Sequence, residues 1–598
     1  MAKKDEADDL NFCKAFIAQR KKLGISRSKL AEGICTESTI AKIESGDRLP
    51  EWYLRSILLS RLGLPCEMYE EYVQPEAYNI WKKQKILISK IENNDIKDFD
   101  IYISELKDEF ESNKIIMQCL YDIEARVYIL KKKDNELISR TYKHAASCLI
   151  DIEKYLNNYD IPLSIQEQYV LISYIRYSTD LSVEKKKIVL KRIYEIENSK
   201  EIDIINKAKI IPYLTFSLYM IIPEDERKDL NKARQLKDML IKSLELLGRA
   251  GRAYYILELL DCMCEVKKIL NNSDISKFVE LRNALEDSYE LYEIEYNMLI
   301  HPYIYNESYV YSIGDVIKRR RQTLNMTKKE LAADICDEKT ITRIENSRTN
   351  IQRPIMRELF KRLGMSTEFM RGDVVATDAI YNEKIARIEE TIDQIKEINY
   401  LNSKVDSSNP INRQTMLRLY AIFSYKNEKI SKDRYVDLLE KALEQTIEKE
   451  YAIKENNFLS RYEMICIYNL ACALKNQDNV YYEYLQNFYC MMQYDEACTE
   501  LSIYALVVFF IASLYGDNAE YEESNNLADR LATYDLRKNR LYEVHKCIYN
   551  NIWNKKAAGK TLDDNDKRNL KNSLILANFL GDKEDAMVIK EFLRENLK

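Results

Sequence analysis

The stretch CTESTIAKIESG at residues 35–46 reappears as CDEKTITRIENS at residues 336–347. The match extends in both directions without a gap, so that residues 12–64 and 313–365 are identical at 15 of 53 aligned positions. A repeat of this length indicates two copies of one small domain. A weaker match links PLSIQEQ at 162–168 with FLSRYEM at 458–464. Together the two matches predict a tandem duplication of the whole chain.

Each copy of the quoted stretch has the pattern of a short amphipathic helix. In the first copy Thr36 is typical of an N-cap, and Ile40 and Ile43 share one apolar face opposite a polar face. The preceding segment, SRSKLAEGI, predicts another short helix capped by Ser26. Two short helices joined by a tight turn, the second with a polar outer face, predict a helix-turn-helix.

Composition favours an all-α fold. The chain has 598 residues but only 12 Gly and 9 Pro, too few for a protein of many turns and hairpins. Amphipathic patterns with a period of 3.6 residues fill the regions outside the repeat, and they predict a helical solenoid. The sequence lacks a run of 18 apolar residues and an N-terminal hydrophobic signal segment, so we expect a cytoplasmic location without membrane contact.

Charge is unevenly distributed along the chain. The formal net charge is -6, yet residues 12–64 carry ten Lys and Arg against five Asp and Glu, and residues 312–365 carry thirteen against seven. Two basic regions in an acidic chain predict two sites for a polyanion such as DNA. The four expected domains are 1–70 (helix-turn-helix), 71–305 (helical array), 306–372 (helix-turn-helix) and 373–598 (helical array).

The two repeats resemble the λ-repressor-like (XRE/Cro) DNA-binding family through LGISRSKLAEGICTESTIAKIESG and LNMTKKELAADICDEKTITRIENS. The segment VVFFIASLYGDNAEYEESNNLADRL resembles a tetratricopeptide repeat, with small and aromatic residues at Ala512, Tyr515, Ser524 and Ala528. A head of the first kind followed by an array of the second resembles the peptide-pheromone regulators of the Rgg, PlcR and PrgX kind. This chain departs from them by carrying the module twice.

The resemblance implies a double-stranded DNA operator as partner and a short signalling peptide as a possible second partner. It implies structural ion pairs between Arg20 and Glu44 and between Arg321 and Glu345. It also implies one peptide-binding candidate, Asn469, for which the simpler interpretation is an Asn that faces solvent or bridges two helices. The residues that it assigns to DNA contacts are Arg27, Thr36, Glu37, Ser38 and Lys42 in the first repeat, and Lys328, Glu338, Lys339 and Arg343 in the second.

Other classes of function have weaker support in the sequence. It contains no phosphate-binding glycine loop and no metal-ligand spacing, and its three His are far apart, so we expect neither an enzyme nor a metal or other cofactor. The alternative that stays open is a helical-repeat interaction scaffold whose helix-turn-helix domains serve assembly. The sequence also leaves open whether one or both repeats bind DNA, and whether two heads come from one chain as a pseudo-dimer or from a homodimer.

Overall fold

The computed structural model describes residues 10–48, 50–64, 70–157, 161–199, 203–271, 275–305, 309–365, 381, 384–385, 388–454, 458–474, 479–490 and 501–596. These residues are mostly helical, as the sequence predicts. We number the helices α1 to α31 within these ranges. The domain boundary expected at residues 372 and 373 lies outside them.

Four helices form head one, which comprises residues 10–64. They are α1 Leu10–Lys22, α2 Arg27–Ala31, α3 Glu37–Glu44 and α4 Trp52–Arg61. Ser26 and Thr36 are N-caps whose side chains accept hydrogen bonds from the backbone N–H groups of Lys29 (3.1 Å) and Thr39 (3.2 Å). The core of the head is built from one apolar stripe of each helix and includes Phe16, Leu30, Ile40, Ile43, Leu58 and Leu62.

Head two, residues 313–365, has the same order of helices. They are α17 Ile313–Thr323, α18 Lys328–Ala332, α19 Glu338–Glu345 and α20 Arg353–Arg362. Thr327 and Asp337 take the capping positions of Ser26 and Thr36. The core again uses the apolar stripes, with Ile317, Leu331, Ile341, Ile344, Leu359 and Leu363.

Array one follows head one and is built from α5 to α16. The helices are α5 Pro75–Glu92, α6 Phe99–Phe110, α7 Lys114–Leu130, α8 Asn135–Ser147, α9 Ile152–Leu156, α10 Ile165–Tyr177, α11 Val183–Ser199, α12 Ile204–Ile221, α13 Glu224–Arg227, α14 Leu230–Ala250, α15 Ile256–Ile269 and α16 Ser276–Leu291. A 3-10 turn, Tyr303–Tyr305, precedes head two. Helices close in sequence pack on one another, which buries one face of each.

Array two follows head two. After a 3-10 turn at Ile388–Glu390 it contains α21 Gln394–Asn402, α22 Pro410–Lys426, α23 Lys432–Leu443, α24 Lys449–Ala452, α25 Arg461–Ala473, α26 Val480–Cys490, α27 Leu501–Asp517, α28 Tyr521–Arg537, α29 Val544–Ala557, α30 Asp564–Leu580 and α31 Lys583–Asn596. Ser524 donates to the carbonyl oxygen of Ala512 at 2.7 Å, which ties α28 to α27. Within the described part of the chain, no helix is long and apolar enough to cross a membrane.

Two strands depart from the all-α prediction. β1 (Glu70–Val73) comes after head one in sequence, and β2 (Tyr309–Ser312) directly precedes head two. They pair in parallel, with Glu70 opposite Tyr309 and Val73 opposite Ser312. A parallel pair whose strands lie this far apart in sequence leaves no turn signal between them, so local patterns did not predict it.

The two arrays meet through the last helix of array one and the second-to-last described helix of array two. Helix α16 of array one packs along α30 of array two. Asp287 accepts hydrogen bonds from Arg568 Nε at 2.7 Å and from Asn572 Nδ2 at 2.7 Å. An antiparallel bridge between Arg252 and Arg540 adds main-chain bonds. We call these contacts the joint between the halves.

Candidate nucleic-acid interface

Helix α3 turns one face toward the core of head one and the opposite face toward solvent. Ile40 and Ile43 are fully buried, whereas Glu37, Ser38 and Lys42 are exposed. Thr36 is also exposed, and its hydroxyl serves as the N-cap. An exposed polar face on the second helix of the pair is the arrangement that lets side chains reach base edges in a major groove.

A buried carboxylate fixes the position of this helix. Glu44 is 4% exposed and accepts hydrogen bonds from Arg20 Nε at 2.6 Å and from Arg27 Nε at 2.5 Å. Burial raises the pKa of Glu44, but hydrogen bonds and charges from the two arginines outweigh it, and the pKa is lowered overall. The structure therefore brings Arg20 and Glu44 together, and the same carboxylate also binds Arg27, one of the predicted DNA contacts.

Head two repeats this geometry. Arg321 Nε lies 2.6 Å from Glu345 Oε1, and Lys328 Nζ lies 3.7 Å from Glu345 Oε2. The proposed DNA-contact residues of α19, Glu338, Lys339 and Arg343, are exposed. The two heads thus present matching exposed faces that each carry a Glu in the first helical turn and a cation in the last.

Residues 317–370 match the helix-turn-helix family model. This segment is a helix-turn-helix domain. No curated protein matches the chain. Similar solved structures include PlcR from Bacillus thuringiensis in complex with the peptide PapR7 and DNA, at 15% identity and a TM-score of 0.28, with 47% of this chain and 98% of that chain covered. The SHP pheromone receptor Rgg2 from Streptococcus dysgalactiae is similar at 14% identity and a TM-score of 0.27, with 48% and 99% covered.

The relative position of the two heads is fixed by a contact region that we call the brace, made of β1, β2 and Gln74. Gln74 Nε2 donates to the carbonyl oxygen of Ile351, and the Ile351 N–H donates back to Gln74 Oε1, both at 3.0 Å. Tyr72 inserts into the core of head two, where its ring lies 5.3 Å from that of Phe360. Arg353 donates to the carbonyl oxygen of Gly46, just beyond α3, at 3.0 Å. The end of α3 is thereby tied to the other head.

Each head is also attached to its own array through a buried ion pair that the sequence did not reveal. In the first half, Arg61 contacts Glu167 with both side chains fully buried. In the second half, Arg320 contacts Glu463, also buried. Both glutamates stand at the third position of a capping box that starts an array helix, after Ser164 and Ser460. The aligned sequences PLSIQEQ and FLSRYEM contain these capping boxes. They were the sequence signal from which the two glutamates could have been found.

A backbone contact adds to the attachment of head one. Gly33 lies in the turn between α2 and α3 with φ at +76°. A Cβ atom there would lie 1.9 Å from the carbonyl oxygen of Leu149 in array one. Only glycine permits this approach. The aligned residue of head two, Asp334, also has a positive φ, of 58°.

The proposed peptide-binding residue Asn469 is half-buried in array two. Its Oδ1 accepts a hydrogen bond from the Tyr435 hydroxyl at 3.0 Å, and its Nδ2 donates to the carbonyl oxygen of Ile465 at 2.8 Å. Arg418 differs, because its side chain is 7% exposed and its Nε has no hydrogen-bond partner among the described residues. The Arg418 guanidinium lies 4.8 Å from the centre of the Tyr462 ring. Sequence reasoning did not single out Arg418.

One group of possible metal ligands occurs in the described chain, where the sequence predicts none. His545 Nε2 lies 3.2 Å from Asp585 Oδ2 and 3.6 Å from Asp582 Oδ2. The Lys546 ammonium lies 3.9 Å from Asp585 and supplies positive charge to the same group. Asp582 also accepts from the Asp585 backbone N–H at 3.1 Å at the start of α31. Hydrogen bonding therefore accounts for this cluster.

Proposed function

We propose that the chain is a sequence-specific DNA-binding transcription regulator. The observation that carries the proposal is the family match over residues 317–370, in a domain whose recognition helix exposes Glu338, Lys339 and Arg343. These side chains include a cation and an acceptor that can contact base edges and phosphates. Lys328, at the start of the preceding helix, would contact a phosphate.

Head one would bind DNA in the same way, as the second helix-turn-helix of an internally duplicated chain. The aligned identities, the matching helices and the shared Arg–Glu pair of each head support this assignment. Because the brace fixes one head against the other, the chain would act as a pseudo-dimer on two half-sites. We expect an imperfect palindrome whose half-sites diverge at the base read by Ser38 or Lys339.

DNA duplexes selected from a random-sequence pool test this proposal. Lys42→Ala and Arg343→Ala should each weaken binding by about 1–3 kcal/mol, as expected for one good base contact. Lys432→Ala, an exposed lysine in array two, is the matched control and should have no effect. Binding should also fall steeply with salt concentration, because phosphate contacts release counterions.

Two results would change the conclusion. A failure to enrich any duplex at low salt would favour the interaction scaffold, in which the heads serve assembly. If Lys42→Ala weakens binding while Arg343→Ala does not, head two is structural, and two chains must associate through their arrays to supply two copies of head one.

The proposal includes control by a short linear peptide that binds array two. Arg418 supports this site because a buried guanidinium with an unbonded donor is costly and would be satisfied by a peptide carbonyl or carboxylate. Peptides that are selected from a random display library for binding to the wild-type protein should bind the Arg418→Ala variant more weakly. Asn469→Ala tests the other candidate. Linkage requires that such a peptide and DNA change each other's affinity by the same factor, so an unchanged affinity for DNA would exclude peptide control.

A further inference from the structure

The segment that leads from array one to head two is buried in array one. Residues 298–305, MLIHPYIY, follow the last helix of the array, and we call them the connector. Met298, Tyr303 and Ile304 are 1%, 2% and 3% exposed, respectively. Segments that join domains normally run over the surface, where water satisfies their backbone groups. The burial of this one therefore requires specific partners.

Side chains of array one supply partners for the connector backbone. Arg126 of α7 donates to the carbonyl oxygen of His301 at 2.5 Å. Gln166 of α10 lies 3.4 Å from the carbonyl oxygen of Ile304 as a hydrogen-bond donor. Main-chain carbonyls held by side chains of an array are contacts that a bound free peptide also makes.

The central side chain of the connector fills an aromatic site formed by several helices. The Tyr303 ring stacks on Tyr254, with centroids 4.5 Å apart, and meets Tyr169 of α10 edge-on at 6.0 Å. Its hydroxyl donates to the carbonyl oxygen of Lys209 in α12 at 2.7 Å. One side chain thus contacts α10, α12 and the residues that precede α15, as an anchor residue does in a binding pocket.

The array also depends on the connector for a hydrogen bond to a buried cation. Arg126 is fully buried and pairs with Asp122 on its own helix. Its guanidinium lies 4.2 Å from the centre of the Tyr169 ring. The His301 carbonyl satisfies Nη1 of this buried cation. Without the connector, a donor of a buried charged group would lose its partner, which favours the occupied state.

We propose that the connector is a tethered ligand of array one. It occupies the site that a free peptide would take and prevents a free peptide from binding to this array. The inference rests on the proposed control by peptide. It adds that the peptide site of array one is already occupied by the connector. The connector leads to β2 and then to α17. Its position in array one therefore also determines the position of β2 and of the start of head two. Array one would thus hold the heads in place, while array two receives the signal.

A synthetic connector peptide, MLIHPYIY with a fluorescent label, tests the proposal by anisotropy with the full chain. The wild-type protein should show no saturable binding, because its own connector is present at a high effective concentration. Tyr303→Ala should weaken the tethered segment and allow the free peptide to bind, with an affinity gain of about tenfold or more. Tyr425→Ala, which removes a partly exposed tyrosine in array two, should behave like the wild type.

A second pair of measurements guards against misfolding. Circular dichroism and gel filtration establish that Tyr303→Ala is folded, and the milder Tyr303→Phe, which loses only the bond to Lys209, serves if it is not. Hydrogen exchange of residues 298–305 should increase in either variant. Increased exchange without uptake of the peptide would show that the segment is only a connector and overturn the proposal. Equal binding by the wild type and the variant would place the peptide elsewhere and also overturn it. Neither measurement uses DNA. The connector proposal can therefore fail while the chain still binds DNA, and it can hold while the chain does not.

Discussion

Glu167 and Glu463 occupy equivalent places in the two halves, but arginines from different helices neutralise them. Arg61 comes from the last helix of head one, whereas Arg320 comes from the first helix of head two. At the position of Arg320, head one has Gln19, and both side chains donate to the carbonyl oxygen at the end of the last helix, Leu62 or Leu363. A buried carboxylate requires a cation, but the cation can reach it from more than one position.

This difference predicts unequal effects of one substitution at two aligned positions. Arg61→Met should destabilise the junction of head one with array one by about 3–5 kcal/mol, because it leaves Glu167 buried and unpaired. Arg362→Met removes only bonds to backbone carbonyls, since Arg320 satisfies Glu463, and it should cost clearly less. Hydrogen exchange of α4 and α20 measures the two losses. Equal losses of stability in the two variants would mean that the ion pair between Arg61 and Glu167 does not determine the stability of the junction.

At the scale of single elements, the brace is the feature that gives the heads a defined spacing. A two-stranded sheet is weak alone. Here Val73 and Val310 of the two strands pack with Trp52 and Trp81 in a small apolar cluster, and Tyr72 enters the core of head two. The brace therefore belongs to both heads, so that a change in one of its residues is transmitted to their relative position.

Gln74→Ala should separate the binding of two half-sites from the binding of one. It removes both hydrogen bonds to Ile351, so we expect an operator with both half-sites to lose about 1–2 kcal/mol of affinity. A duplex with a single half-site should bind as it does to the wild type. Gln352→Ala, which alters an exposed glutamine next to Ile351, is the control. A loss of equal size on both duplexes would show that Gln74 supports a head and not the spacing between heads.

Local signals explain which elements were predictable from the sequence. Ser26 and Thr36 precede apolar stripes, and their capping bonds span only three residues, so spacing alone indicates them. The parallel pair of Val73 with Ser312 and the insertion of Tyr303 into array one connect residues that are far apart, and no period in the sequence records such contacts. The alignment of the repeats predicted two similar heads but could not predict which arginine reaches Glu463, because that depends on the packing of an array against a head.

At the scale of the whole molecule, the two arrays are joined near a buried carboxyl group. Asp535 is 1% exposed, close to the main-chain bonds between Ala253 and Asn539 and between Leu541 and Gly251. Burial raises the pKa of Asp535 to about 7, and nearby Glu543 adds to the effect, against the opposing charges of Arg540 and Arg252. The folded chain therefore holds this proton more tightly than the unfolded chain does.

The joint should consequently weaken as the pH rises. Since the folded pKa of Asp535 lies above the ordinary value near 4, stability should be greatest below that value and fall as the pH rises through 7. Asp535→Asn should raise the free energy of unfolding at pH 8 by about 2–4 kcal/mol and change little at pH 4. Thermal unfolding at both pH values measures this. Glu522→Gln, an exposed acid on the same helix, is the control, and a shift that does not depend on pH would contradict the assignment.

Gly33 restricts whether the sequences of the two heads can be swapped within the chain. A chain with its heads transposed would bring Asp334 against the carbonyl of Leu149, where a Cβ atom at the position of Gly33 would lie 1.9 Å from the oxygen. The ion pairs would tolerate the transposition, because each head carries one arginine that can reach the array carboxylate. The turn would not, unless Asp334 were replaced by glycine. That replacement is necessary but not sufficient, because Pro50, which would take the place of Ile351, has no N–H to donate to Gln74.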